Sequence, residues 1–195
     1  MIILRFERGA VVAEGGAIPF GVRDSSSGTY RAPAHLHGVI VKRLASNGVE
    51  FRDETDASPP VGPLSSTFEL RDYQDEALDA WKQAGRRGVV VLPTGAGKTV
   101  LALKAIEELG EAALVVVPTL VLVDQWRERL EEAFGVDVGV LGGGRRDVRA
   151  LTVSTYDSAV ILAPAIGNCF RLLVLDEVHH LPASSYRRIG FMYTA

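Results

Sequence analysis

The sequence predicts an α/β protein: a parallel sheet with helices on both faces, preceded by a small α+β module. Three observations lead there. From Phe68 onward, apolar runs at 88–92, 113–117, 150–154 and 171–175 alternate with stretches of helical period near 98–109, 119–133 and 155–163. Regular alternation of this kind builds a parallel sheet between two layers of helix. One strand-to-helix junction is the Gly-rich turn Leu92-Pro93-Thr94-Gly95-Ala96-Gly97-Lys98-Thr99. Finally, the acidic, Pro-rich stretch 53–66 separates this pattern from the first 52 residues, and that composition marks a linker.

Ile2 to Phe6 and Ala10 to Ala13 read as short strands around Arg8-Gly9. Asp24-Ser25-Ser26-Ser27-Gly28 is a turn cluster. Leu36, Ile40 and Leu44 recur at steps of four, so Ala34 to Ser46 is an amphipathic helix. Asn47-Gly48 ends it, and Val49-Glu50-Phe51 reads as a strand. Beyond the linker, Asp72 to Ala84 is helical, with Ala77, Leu78 and Trp81 on one face. Val89 to Leu92 is expected as a buried strand feeding the Gly-rich turn, and Val136 to Val140 as a shorter strand. Gly142-Gly143-Gly144-Arg145-Arg146 reads as a solvated surface loop, with contact to a polyanion as the alternative. Gln125 and Trp126 are expected to pack or cap within their helix.

With 195 residues, 47% of them hydrophobic, the chain can bury a core of one domain, or of one domain plus a small module. With a formal charge of −3, bulk electrostatics do not announce a nucleic-acid binder. Any such contact has to be local, through helix ends, loop amides and a few Arg side chains. Cys169 is the sole cysteine, which excludes an internal disulfide and fits a reducing compartment. Met1 to Glu7 turns charged too early for a signal peptide. The longest apolar run, Ala112 to Val123, is broken by Pro118 and Thr119 and falls short of the ~20 residues that span a bilayer. A soluble cytoplasmic protein without membrane contact is expected.

The Gly-rich turn has a chemical reading. Between a strand and a helix, backbone N–H groups and the positive helix end cradle polyphosphate. Thr94, Gly95, Ala96 and Gly97 would line that cradle. Lys98 would reach the β and γ phosphates and the Thr99 hydroxyl would ligate Mg²⁺. Leu92 stands where the generic motif has Gly, which leaves open a Gly-rich turn that merely carries a Lys. A second motif counts against that alternative: the apolar run Leu172 to Leu175 ends in Asp176-Glu177-Val178-His179-His180. Carboxylates at the carboxyl end of a parallel strand sit where α/β sheets bind ligands. There Asp176 would hold Mg²⁺ and Glu177 would act as general base toward water. Upstream, Phe68-Glu69-Leu70-Arg71-Asp72-Tyr73-Gln74 places an amide that can read an adenine edge, with Phe68 or Arg71 available to stack on the base. The alternative is that Tyr73 and Gln74 simply open a helix.

Leu70-Arg71-Asp72-Tyr73-Gln74, the loop through Thr99, Val117-Pro118-Thr119, Thr152-Val153-Ser154-Thr155-Tyr156 and Asp176-Glu177-Val178-His179-His180 occur in the order of superfamily 2 helicases. The combination most resembles the XPB family of nucleotide-excision-repair helicases in its short archaeal form. Val178-His179-His180-Leu181-Pro182 and Thr155-Tyr156-Asp157-Ser158-Ala159 carry the most specific likeness. A DEAD-box helicase would have Ala-Asp after Asp176-Glu177. The resemblance implies that residues 67–195 form a first RecA-like lobe using ATP and Mg²⁺, with Leu92 a tolerated variation. It implies adenine recognition by Gln74 beside Arg71, catalysis by Glu177 and Lys98, and coupling of nucleotide state through His180. It also implies DNA-backbone contacts at Pro118, Thr119, Ser154 and Thr155, and a damage-recognition-like module at residues 1–52. Within that module Tyr30 and Arg31 either grip DNA or pack in a turn.

The same resemblance implies partners: DNA, a second helicase lobe of the same full-length protein, and a repair nuclease. The second lobe would supply arginine fingers, worth about 10³–10⁵ in rate in related hydrolases. The chain therefore reads as the amino-terminal half of a helicase that moves 3′ to 5′ on DNA, binding nucleotide but turning over little alone. Two alternatives stay open: the motor of a restriction-type translocase, and a non-hydrolysing nucleotide- or DNA-binding module.

Overall fold

A computed structural model describes residues 1–93, 95–180 and 186–195. Thr94 and 181–185 lie outside it, as does the side chain of His180.

The first sheet is built from β1 (Ile2–Glu7), β2 (Ala10–Glu14), β3 (Val22–Arg23), β4 (Tyr30–Pro33) and β5 (Phe51–Asp53) in the order β3-β4-β2-β1-β5. β1 and β2, the two strands expected around Arg8-Gly9, pair antiparallel as a hairpin that turns at Arg8 and Gly9, both at positive φ. A single turn at Ala34–Leu36 leads into α1 (His37–Ser46). Ile40 and Leu44 of α1 pack with Leu4, Val11, Ala13 and Ala32 of the sheet. The strand expected at Val49 begins two residues later. Val49 N–H instead closes the end of α1 on Leu44 O, and pairing with β1 starts at Ile2↔Phe51.

The second sheet holds β6 (Ala113–Val117), β7 (Gly139–Gly142), β8 (Arg145–Arg146), β9 (Leu151–Thr155) and β10 (Leu172–Leu175) in the order β10-β6-β9-β7-β8. All neighbours are parallel except β8, which pairs antiparallel with β7. The Gly142–Arg146 stretch is thus part of a tight hairpin. The helices are α2 (Asp72–Gln83), α3 (Lys98–Leu109), α4 (Leu120–Phe134), α5 (Tyr156–Ile166) and the short α6 (Ile189–Met192).

Alternate residues of β6 serve opposite faces, as strand geometry requires. Val115 and Val117 meet Leu103 and Ile106 of α3 and Val123, Trp126 and Leu130 of α4. Leu114 and Val116 meet Tyr156, Ala159 and Ala163 of α5 together with Ile189 and Tyr193. Each fully buried Val, Leu or Ile among them contributes about 1.5–3 kcal/mol. The α/β architecture expected from the alternation is therefore present, with helices on both faces.

One expected strand is absent. Residues 88–92 form no strand, and Val89 and Val91 are 70% and 87% exposed. An extended run becomes a buried strand only when a neighbour takes its amides, and none does among the described residues. The run faces β10 across a cavity of about 530 Å³, lined also by Ala77, Leu78 and Trp81 of α2 and Leu101 of α3. The strand expected at Val136 to Val140 is shifted as well: β7 starts at Gly139, where the backbone of Asp147 and Arg149 lies too close for a side chain.

The segment after β5 ties the two sheets together. His37 Nε2 lies 2.7 Å from Asp53 Oδ2, and Thr55 Oγ1 donates to Asp53 Oδ1 at 2.7 Å. Asn168 then donates to Thr55 O, Ala57 N–H donates to Asn168 O, and Arg171 pairs with Asp56.

Candidate nucleotide site

The Gly-rich turn is assembled by backbone conformation and by the start of α2. Gly95 and Gly97 both have positive φ, and Gly97 is the left-handed residue from which α3 springs. Ala96 N–H closes a turn on Pro93 O at 3.2 Å. The buried Gln74 braces the turn from outside. Its Oε1 accepts from Arg71 N–H at 2.9 Å, while its Nε2 donates to Ala96 O and Gly97 O at 3.0 and 3.2 Å. Tyr73 OH also donates to Ala96 O, and Arg71 Nη1 donates to Tyr73 OH. In this structure the amide expected to read adenine is thus spent on the chain's own backbone, where it sets the loop's position. Phe68 and Arg71 are exposed beside it.

Lys98 Nζ donates to Leu92 O at 3.3 Å, so its ammonium lies over the loop. Thr99 is half-buried in the first turn of α3, and its Oγ1 accepts from Arg129 Nη1 at 2.9 Å. Asp176 stands just past the end of β10. Its Oδ2 accepts the Trp126 indole N–H at 2.8 Å, and its Oδ1 accepts Glu177 N–H at 3.0 Å. Glu177 has φ +52, a left-handed conformation that costs a residue with a Cβ about 1–2 kcal/mol. Its carboxylate lies 3.3 Å from His179 Nδ1. Tyr156 OH donates to Asp176 O at 2.9 Å. Burial, with the charges of Asp176 and Glu177, pushes that phenol up to about 12.

Lys98, Asp176, Glu177 and His179 line one cavity, the same one that separates 88–92 from β10. Hydroxyl and carboxylate oxygens are the donors Mg²⁺ takes, so Thr99 and Asp176 fit that ion. His180 lies in the single turn Val178–His180. Thr94 is outside the described residues, so its part in the cradle carries no geometry.

The residues expected on DNA gather at one rim. Val117 and Thr155 are register partners, and Val116 pairs with Leu175, so the ends of β6, β9 and β10 lie side by side. Pro118 follows β6. Thr119 caps α4, its Oγ1 accepting Leu122 N–H, and Thr155 caps α5, its Oγ1 accepting Ser158 N–H. Ser154 differs: it is fully buried, and its hydroxyl donates to Thr155 O.

Trp126 and Tyr156 bond to Asp176 and Arg129 to Thr99. Sequence reasoning assigned Trp126 a packing or capping role in its helix and Tyr156 a place in a family motif, and it did not single out Arg129. Trp126 sits at helical spacing with Val123 and Leu130, a signal of packing. Nothing in that period shows which way an indole N–H points.

The family profile described as "Type III restriction enzyme, res subunit" matches residues 67–195, and that described as "Xeroderma pigmentosum group B helicase damage recognition domain" matches residues 4–55. The chain is 40% identical over 195 residues to a protein of Sulfurisphaera tokodaii named DNA 3′-5′ translocase XPB2, covering all of this chain and 44% of that one. It is 34% identical over 141 residues to the DNA 3′-5′ helicase XPB of Mycobacterium tuberculosis, covering 66% of this chain and 25% of that one. The chain thus spans less than half the length of these relatives. Among solved structures, the UvsW helicase from bacteriophage T4 aligns over 98% of both chains at 16% identity, with a TM-score of 0.44.

Proposed function

The chain belongs to the family described as "Type III restriction enzyme, res subunit" and is similar to XPB-type DNA translocases and helicases, and on that premise we propose that it is the nucleotide-binding lobe of an ATP-dependent DNA translocase of nucleotide excision repair. The observation that carries this reading is the convergence of Lys98, Asp176 and Glu177 on one cavity along the open edge of β10, with the two carboxylates just past the carboxyl end of that strand. Thr99, one residue past Lys98, completes the set.

In this proposal residues 67–195 are a first RecA-like lobe, 53–66 a linker and 1–52 a damage-recognition-like module. The loop amides from Thr94 to Gly97 and the Lys98 ammonium hold the phosphates. Thr99 and Asp176 hold Mg²⁺, which when bound offsets the charge developing on the transferred phosphoryl group. Glu177 takes the proton of the attacking water. Arg71 and Gln74 border the adenine position, and Gln74 reads the base only by exchanging a backbone partner for it. His180 relays nucleotide state. Pro118, Thr119 and Thr155 face the DNA backbone, while Ser154 supports Thr155 from beneath.

The reaction couples hydrolysis to 3′-5′ movement on DNA in the longer protein, where a second lobe completes the cleft. A repair nuclease is proposed as a further partner. No helix among the described residues is long and apolar enough to cross a membrane, and a cytoplasmic location is proposed.

Two measurements test the reading. Lys98→Ala should abolish binding of Mg²⁺·ATP by the 195-residue chain. In a longer protein carrying both lobes, Glu177→Gln should keep ATP binding and lose turnover, and unchanged turnover would remove Glu177 as the base. DNA-stimulated ATPase activity from the 195-residue chain as a monomer would overturn the need for a second lobe.

A further inference from the structure

Helix α4 meets the metal corner at two points one turn apart. Trp126 is 3% exposed and packs in the core, yet its indole N–H donates to Asp176 Oδ2 at 2.8 Å. Arg129, three residues on and exposed, donates to Thr99 Oγ1 at 2.9 Å. Each of the two side chains that would ligate the metal, one beyond β10 and one in the first turn of α3, is therefore held by a donor from a third element.

The two donors are chemically unlike. An indole N–H is neutral and can only donate. It orients a carboxylate oxygen and leaves that oxygen's second lone pair open. A guanidinium is a permanent cation. On the Thr99 hydroxyl it repels a second cation arriving at the same oxygen. The Asp176 carboxylate is also held at its other oxygen by Glu177 N–H, so the indole completes its orientation.

Resting on the nucleotide-site reading above, we propose that Trp126 and Arg129 are a pair of positioning residues with opposite effects on the metal. Trp126 holds Asp176 in the orientation that accepts Mg²⁺. Arg129 holds Thr99 until Mg²⁺ displaces it. Because α4 starts at Thr119, on the rim that faces DNA in the proposed function, a movement of this one helix reaches both metal ligands.

The test follows binding of a fluorescent, non-hydrolysable ATP analogue to the full chain by anisotropy as Mg²⁺ is titrated from zero. The quantity read is the Mg²⁺ half-point. Trp126→Phe keeps an aromatic ring in the core and removes the donor, and should raise the half-point about tenfold. Arg129→Gln removes the competing charge and should lower it about threefold. Affinity in EDTA should stay within twofold of native for both. A purely structural role would lower the melting temperature and leave the half-point in place.

Either half-point unmoved, or moved the other way, overturns the proposal, as does a loss of affinity in EDTA equal to that in Mg²⁺. Should Trp126→Phe not fold, Trp81→Phe leaves Trp126 as the sole indole of the two in the chain. Its emission must then change on adding Mg²⁺ with the analogue, and constant emission overturns the proposal. A native chain that binds no analogue overturns the nucleotide-site reading itself, whereas native binding with unmoved half-points overturns this inference alone.

Discussion

Gly97 shows why one residue of the loop tolerates nothing larger. Its φ is +78, and a Cβ there would run into the Gln74 amide nitrogen that holds the loop. Gly97→Ala should therefore lower stability by about 1–2 kcal/mol through backbone strain alone and weaken nucleotide binding more than tenfold. Thermal melts and an ATP titration check this, and native affinity in the variant would show that the loop is not the binder. Asp53 gives a second prediction. Burial works to raise its carboxyl, but hydrogen bonds from His37 and Thr55 outweigh burial and hold it well below the usual carboxylate range. A depressed folded value means that this carboxylate's contribution to stability is present above the unfolded value, about 4, and is lost as pH falls below it. The melting temperature of the native chain should start to drop near about pH 5 and go on dropping as pH falls toward the depressed folded value, and Asp53→Asn should flatten that drop. Equal slopes in the two proteins would contradict the assignment.

At the scale of elements, α4 combines three tasks: a cap at Thr119, core packing through Val123 and Leu130, and hydrogen bonds to Asp176 and Thr99 through Trp126 and Arg129. Thr119→Ala should cost about 1 kcal/mol by removing the cap, and Thr119→Ser should not. A chemical-denaturation series separates the two, and it is the control against which any DNA-binding defect at Thr119 has to be read. Leu130→Ala should cost about 2–5 kcal/mol, since Leu130 is fully buried. The helices were legible in the sequence because an apolar stripe of period 3.6 is a property of the segment alone. The run at 88–92 was not, because an apolar run of five residues becomes a strand only through a partner.

For the whole molecule, the telling feature is the open edge of β10. That strand pairs with β6 on one side, while the apolar run 88–92 lies across a cavity on the other. Amides 89–92 should therefore exchange with deuterium far faster than those of β6, whose five residues are all buried. Protection of 89–92 equal to that of β6 would mean that the run is paired in solution. The connection through Thr55, Asp56, Asn168 and Arg171 couples the two sheets. Asn168→Ala removes the side-chain donor to Thr55 O and should lower the melting temperature of the chain, while Ala57 N–H keeps its bond to the backbone carbonyl at 168.

Much of this protein could be read before any coordinates. Glycines in the turn that opens α3, a Lys-Thr pair in the first turn of that helix and two acids ending an apolar run are constrained locally, by backbone sterics and by strand polarity. Their order along the chain therefore carried the α/β class and pointed to the loop now proposed to hold phosphate. Other features depended on long-range packing. Gln74 is turned onto the loop backbone, Ser154 is buried while its neighbour Thr155 caps α5, and Trp126 points its one N–H at Asp176 across fifty positions of sequence. Each of these is the direction of a polar atom, set by which elements pack together, and segment periodicity places side chains on a face without saying what their polar ends will meet.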